Sequence, residues 1–509
     1  MKKHNKNYLL ILGISFILIA GSCIPKNEDI KNPSITETPN LNNYPTQELP
    51  IIPTEPIADQ EDIPVPETTP IHVPVTPDYK FEVIFDNFSQ SANIQETIHF
   101  SNNSFSSMNE IILACDTLRY PGAFQLQEVI LDQMISENVQ VNDYFITIPL
   151  TAPLDPGKSI EIQINYILAV PPLPAPADDQ KPGIFGYSSV QTNFVDWYPF
   201  IPPQNENGEW ILHEPGYYGE YLVYDLANFD VSIDILNSNN NTLIAASTIP
   251  FVHDETHYSF TSKNARNFVW SVGPSYIFET IDHDGITISS YSFPFHQFAN
   301  SHLITETSKA IDLYSRLYSP YPRKNLTIVE ADFLDGMEYD GLFFLSRGFY
   351  NLFDNTPQNY LTMIAVHETA HQWWYTSIAN DQAIEPWLDE ALCTYSEYLF
   401  YEEYYPELVD WWWEYRVNYY QPDGYIDMPI YDYQGFIPYR DATYLNGAKF
   451  LQYLRDQLGD QTFFDFLHEY ATIEKDKITS EAIFFTVLSN YSNFDFKTES
   501  GFFKPNQNQ

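Results

Sequence analysis

Apolar and polar residues alternate along most of the chain from Tyr79 to about Ser290. The segments KFEVIFD, ANIQETIHFSN, YFITIPL, SIEIQINYIL, FDVSIDIL, NTLIAAST, RNFVWSVG and ITISSYSF are short and rich in Val, Ile, Phe, Tyr and Thr. Asn, Asp, Gly and Pro bound them. Successive strand residues point to opposite faces, so each segment predicts a strand with one buried face. Together they predict an all-β, sandwich-like domain over residues 79–290. No repeat of fixed period runs through it.

The period changes after about Phe293. HLITETSKAIDLYSRLY places Leu303, Ile304, Ala310, Ile311, Tyr314 and Leu317 on roughly one helical face. Two strand-like runs follow, NLTIVEADF and GLFFLS, separated by DGMEYDG. Then come the helical patterns of HETAH, PWLDEALCTYSEYLFYEEYY, NGAKFLQYLRDQLG, QTFFDFLHEYAT and SEAIFFTVLSN. The prediction is a multidomain α+β chain, its second domain (291–500) mainly helical with a small mixed sheet. Residues 501–509 are expected to fray.

The first 78 residues belong to neither pattern. Lys2, Lys3 and Lys6 precede an apolar run from about Tyr8 to Ala20, the layout of a secretory signal. The run closes on Ala20-Gly21-Ser22-Cys23, which resembles the bacterial lipobox. That resemblance implies cleavage before Cys23, lipid attachment to it, and an exported protein held at the cell membrane. An ordinary signal peptide and an uncleaved anchor are the alternatives. From 24 to 78, prolines recur among Thr, Asn, Glu and Asp, so this stretch cannot build a core and predicts an extended tether. No second stretch reaches the 18 or so apolar residues of a membrane span.

Composition narrows the picture. There are only three cysteines, Cys23, Cys115 and Cys393, so no disulfide framework supplies stability. Cys115 and Cys393 are expected to be free buried thiols. The net charge of −44 argues against nucleic acid or anionic lipid as a partner. It favours cationic substrates, although most of it reads as a well-solvated surface. The sequence carries no signal for an oligomeric state.

The chemistry is concentrated in HETAH, residues 367 to 371. On a helix, His367 and His371 project from one face, where two imidazoles can grip one zinc ion. Glu368 sits beside them as a candidate general base. Eighteen residues separate His371 from Glu390, which is placed on a following helix to supply a third ligand. Three protein ligands leave a fourth position open, the mark of a catalytic rather than a structural site. Cys393 follows Glu390 too closely to join without crowding and reads as a small core residue. Glu397, seven residues after Glu390, shares its helical face. It reads equally as a partner of the metal ligands and as an ordinary surface glutamate. The aromatic run Trp411, Trp412, Trp413, Tyr415, Tyr419 and Tyr420 reads as helix packing rather than a sugar-stacking groove.

With these motifs in order, the chain resembles peptidase family M1, the aminopeptidase N-like zinc peptidases, from about residue 80 to 500. HETAHQWW and WLDEALCTYSEYL resemble the family's zinc-binding segment and its glutamate helix. DGMEY (335–339) resembles the GxMEN exopeptidase motif, and TYLNGAKFL, from Thr443, the YxKG segment. The resemblance implies a β-rich domain followed by a thermolysin-like catalytic domain. It implies one Zn2+ held by His367, His371 and Glu390, with Glu368 as general base. Tyr444 is implied as the donor to the oxyanion and Glu338 as the group that holds the substrate's free α-ammonium. Gly336 and Met337 are implied as the adjoining backbone edge. The implied activity is removal of N-terminal residues from peptides at the cell surface.

Three features depart from the family pattern. Tyr339 stands where GxMEN has Asn, Asn446 stands where YxKG has Lys, and no large helical C-terminal domain follows residue 500. They leave two further readings open: a zinc endopeptidase or other zinc hydrolase on the same scaffold, and a non-catalytic surface binding protein.

Overall fold

Strand Asp78–Asp86 shows how directly the alternation becomes structure. Tyr79, Phe81, Val83 and Phe85 are buried while their neighbours face outward. Each such side chain contributes about 1.5–3 kcal/mol by leaving water. The computed structural model describes residues 75–174, 183–205, 207–216, 218–239, 241–254 and 256–505. The signal, Cys23 and nearly all of the expected tether lie outside them. The described residues fall within one unit, 70–509.

The first half is built on an eight-stranded sheet ordered Val252–His253, His257–Ala265, Ala227–Leu236, Asp78–Asp86, Ser91–Ser101, Ser159–Ala169, Phe124–Leu131 and Met134–Ile135. Neighbours run antiparallel except Asp78–Asp86, which pairs in parallel with Ala227–Leu236. Two smaller sheets, of four and three strands, share one apolar core with it. Aromatic rings make the join: Phe81 meets Trp197 at 4.9 Å, and Phe194 stacks on Trp270 at 3.8 Å. Cys115 is buried as a free thiol.

A five-stranded sheet opens the second half. Its order is Ile277–His283, Ile286–Ser292, Asn325–Ala331, Leu342–Ser346 and Gly336–Tyr339. This corrects the expected boundary at 290. ITISSYSF pairs in parallel with Asn325–Ala331 and so belongs to the second half. The DGMEY motif, which separates two strand-like runs in the sequence, contains a strand of its own. Gly336–Tyr339 pairs antiparallel with Leu342–Ser346 and forms one edge of the sheet.

Helices Asn300–Leu317, Tyr360–Ala370, Trp387–Tyr404, Gly447–Leu458, Asp460–Ile473 and Glu481–Leu488 follow the sequence pattern closely. Asn359 caps the second of them, its side chain accepting from Thr362 N. Two helices are buried on all sides. Every residue from Leu361 to Ala370 is buried, as is every residue from Trp387 to Tyr401. They form the centre against which Asn300–Leu317 and Gly447–Leu458 pack.

The three tryptophans of the aromatic run pack, as expected, whereas Tyr415 and Tyr419 are exposed. Trp412 is fully buried, Trp411 stacks on Tyr415 and Trp413 meets Tyr398. The expected fraying from 501 does not hold for residues 501–505. Phe503 is buried against Trp387 and Phe450, and Ile426 N donates to Phe502 O at 3.0 Å.

Candidate active site

His367 and Glu368 ride on the helix Tyr360–Ala370, and His371 forms its C-terminal cap. Glu390 enters from the first turn of Trp387–Tyr404. Three atoms converge. His367 Nε2 lies 3.2 Å from His371 Nε2, and Glu390 Oε2 lies 3.3 and 3.5 Å from the two nitrogens. A tetrahedral ion with bonds of about 2.0–2.1 Å sets its ligand atoms about 3.3–3.5 Å apart.

The outer contacts fix the tautomers. His367 Nδ1 donates to Glu397 Oε1 at 2.8 Å, and His371 Nδ1 donates to Trp374 O at 3.0 Å. Both acceptors can only accept, so each Nδ1 carries the proton and each Nε2 presents a lone pair. Two lone pairs and a carboxylate oxygen therefore face one buried point, an arrangement that a cation stabilises. The residues fit zinc. Cys393 is buried as a free thiol, as expected, beside His371 and facing the same Trp374 carbonyl, without joining the triangle.

Glu397, ambiguous in the sequence, is fully buried and orients His367. Arg416 grips it from Nε at 3.0 Å and Nη2 at 2.8 Å, and Trp412 Nε1 donates at 3.1 Å. Burial would raise its carboxyl, but the Arg416 guanidinium and His367 outweigh that and hold it below the usual range. Glu397→Gln should weaken zinc binding about 10–100-fold, read by chelator competition. Unchanged affinity would mean that Glu397 only fills the core.

Glu368 does not join the triangle. Gly336 explains its position: a Cβ there would lie 2.1 Å from Glu368 Oε1 and 2.6 Å from Ile364 Cγ2. Only glycine lets the edge strand lie this close to the helix face that carries Glu368. Glu338, Glu368 and His371 bring their ligand atoms within 4.8 Å of one another. Among the described residues, Glu338 Oε1 and Glu368 Oε2 are buried with no hydrogen-bond partner. Burial pushes the Glu368 carboxyl upward, and Glu338 adds to this against the pull of His367 and His371. Gln372 ties the strand to the metal helix. Its Nε2 donates to Tyr339 O, and its Oε1 accepts from Gly341 N, both at 2.9 Å.

Tyr444 lies on a π-helical turn, Asp441–Asn446, a local widening that re-aims side chains. Its ring stacks over His367 at 6.0 Å and its hydroxyl donates to Glu390 Oε1. Gly447, just beyond, lets this segment approach the Glu390 helix: a Cβ there would lie 2.4 Å from Ala391 Cβ. Asn446 holds the turn by donating to Gly424 O at 3.0 Å.

The residues singled out in the sequence thus converge: His367, His371, Glu390, Glu368, Glu338, Gly336 and Tyr444. Met337 lines a neighbouring cavity of about 150 Å³ together with Glu338 and Tyr339. The far wall was not anticipated. Asp116, Arg119, Asp196 and Glu220 come from the β-rich half, and Glu220 brings its carboxylate within 4.8 Å of those of Glu338 and Glu390. No local motif marks them, because their meeting with Glu338 depends on how the two halves fold together.

Part of the chain is similar in sequence to known proteins. Residues 303–500 match the family described as the peptidase family M1 domain. The chain is 35% identical over 112 residues to Aminopeptidase M1-D of Oryza sativa subsp. japonica, a match covering 20% of this chain and 13% of that protein. It is 30% identical over 134 residues to Endoplasmic reticulum aminopeptidase 2 of Bos taurus, covering 24% of this chain and 14% of that one. These matches span only 13–14% of the relatives' lengths.

Among solved structures, the M1 zinc metallopeptidase from Deinococcus radiodurans superposes with a TM-score of 0.57 at 17% identity, covering 82% of this chain and 91% of that one. A mutant of that protein bound to a Tyr-Ser-Ala substrate gives 0.60 at 16% identity, covering 83% and 92%. At such identities the likeness is one of fold. That fold is a β-rich domain followed by a mainly helical M1 peptidase domain.

Proposed function

We propose that this chain is a zinc aminopeptidase that removes the first residue from peptides outside the cytoplasm, tied to the cell membrane through lipid on Cys23. One observation carries the catalytic part. Two buried carboxylates with open oxygens, Glu338 and Glu368, stand beside a His-His-Glu triangle of metal-ligand spacing. A partnerless buried carboxylate is costly, so each is a place prepared for something that arrives.

His367, His371 and Glu390 would hold the zinc, which when bound supplies Lewis acidity to polarise the scissile carbonyl and acidify water. Glu368 accepts the proton of the attacking water on its open oxygen and passes it to the nitrogen of the leaving amine. Tyr444 turns its hydroxyl from Glu390 toward the oxyanion as that charge develops. Glu338 accepts from the substrate's α-ammonium. It thereby fixes the distance between the free N-terminus and the bond that breaks. The edge backbone at Gly336 and Met337 borders the same chain.

Matched aminoacyl and N-acetyl-aminoacyl fluorogenic amides test this reading, each with and without a chelator. Chelator-sensitive release from the free-amine series alone is expected. Equal cleavage of both series would favour an endopeptidase, and release that survives metal removal would overturn the zinc chemistry.

The location rests on the sequence of the first 23 residues. Among the described residues no helix is long and apolar enough to cross a membrane. A mature chain whose mass lacks a lipid adduct at Cys23 would remove the anchor from the proposal.

A further inference from the structure

The cavity beside Glu338 is unequally charged. Of the residues that line it, Asp116, Asp196, Glu220 and Glu338 are acidic and Arg119 alone is basic. Arg119 is already committed. Its Nη1 lies 3.0 Å from Asp116 Oδ1 and 2.9 Å from the Tyr221 hydroxyl, and its guanidinium covers the Tyr221 ring. That pair cancels. In the aminopeptidase reading, Glu338 is matched by the substrate's α-ammonium. Asp196 remains.

Asp196 is held deliberately. Its backbone sits at φ +47°, a left-handed conformation that Asp adopts more readily than most non-glycine residues. Tyr224 donates to its Oδ1 at 2.7 Å, and Tyr339 to its Oδ2 at 3.4 Å. Tyr339 directly follows Glu338 on the edge strand. The residue that departs from the family motif is therefore the one that reaches Asp196. Among the described residues, Asp196 makes no ion pair. Burial, with Asp116 nearby, pushes its carboxyl up to about 7 against the opposing pull of Tyr224, Tyr339 and Arg119. A carboxyl in this condition gains most from a cation brought to it, because the partner offsets the desolvation that raised it.

We propose that this cavity receives the first side chain of the substrate and that Asp196 selects a basic one, lysine or arginine. The assignment rests on the aminopeptidase reading above. In it, Glu338 grips the α-ammonium and the side chain extends between Tyr339, Tyr224 and Tyr375 toward Asp196. Aromatic walls suit the methylenes of a long basic side chain, and the carboxylate suits its end. The net charge of −44 draws cationic peptides in the same direction.

Lysyl and norleucyl amides differ almost only in the terminal charge. The wild-type protein should hydrolyse the lysyl amide with kcat/KM about tenfold or more above the norleucyl amide. Asp196→Asn should abolish that ratio by lowering lysyl turnover while norleucyl turnover persists. A wild-type ratio near one, or an Asn variant that keeps the preference, would overturn the proposal. Product inhibition needs no variant: L-lysine should inhibit the wild type about tenfold more strongly than L-norleucine, and equal inhibition would also overturn it. If neither amide is cleaved by the zinc-loaded protein, the aminopeptidase reading itself fails. If only the norleucyl amide is cleaved, the specificity assignment alone fails.

Discussion

Glu368→Gln is expected to lower kcat by about 10²–10⁴-fold while the protein keeps its zinc. The carboxamide has the shape of the carboxylate, so the close approach of Gly336 survives the exchange. The metal triangle also survives, because Glu368 contributes no atom to it. What is lost is a proton acceptor at one buried position. Glu368 Oε2 has no hydrogen-bond partner among the described residues, so no neighbouring side chain stands ready to take over its task. Zinc content by mass spectrometry and single-turnover hydrolysis of a free-amine amide separate the two effects. A variant that bound zinc normally and still turned over at near wild-type rate would exclude Glu368 as the base. It would also raise the non-catalytic binding reading.

Part of this site could be read without coordinates because its geometry is local. The i, i+4 spacing of His367 and His371 is a property of any helix, and the helix itself follows from its cap at Asn359 and its apolar run. The strand Asp78–Asp86 was legible for a similar reason, since one buried face imposes alternation. Glu397 was ambiguous for a physical cause. The helix Trp387–Tyr404 is buried on every side through Tyr401, so it has no polar face from which a surface glutamate could be told apart.

The hairpin around Ile286–Ser292 was misplaced because alternation says that a strand has two faces but not which sheet it joins. Asp196 and Glu220 were invisible because nothing near them in sequence announces chemistry. They come to line one cavity with Glu338 where a loop of the β-rich half meets the edge strand Gly336–Tyr339, more than a hundred residues later. Long-range convergence of this kind leaves no periodic trace, and a single departure such as Tyr339 becomes intelligible only beside its partner.

Tyr444→Phe is the second large effect expected, a fall in kcat of about 10²–10³-fold with little change in KM. The hydroxyl now donates to Glu390 Oε1, the carboxylate oxygen turned away from the two histidines. Two roles are compatible with that contact: holding Glu390 in place for the metal, or waiting beside the metal for an oxyanion to appear. They predict different losses. If the hydroxyl serves Glu390, its removal weakens zinc affinity, and activity returns when zinc is supplied in excess. If it serves the transition state, affinity changes little and no amount of zinc restores kcat.

The position of the residue favours the second role. Tyr444 lies on a π-helical turn, a geometry that re-aims one side chain at the expense of regular helix hydrogen bonding. Its ring already rests on His367, stacked within 12° of parallel, so the hydroxyl can swing between Glu390 and the substrate with little rearrangement of the ring. Activity of Tyr444→Phe measured across a zinc titration therefore decides between the roles. Recovery at high zinc would make Tyr444 a positioning residue for Glu390, and a persistent loss at full zinc occupancy would make it a catalytic donor.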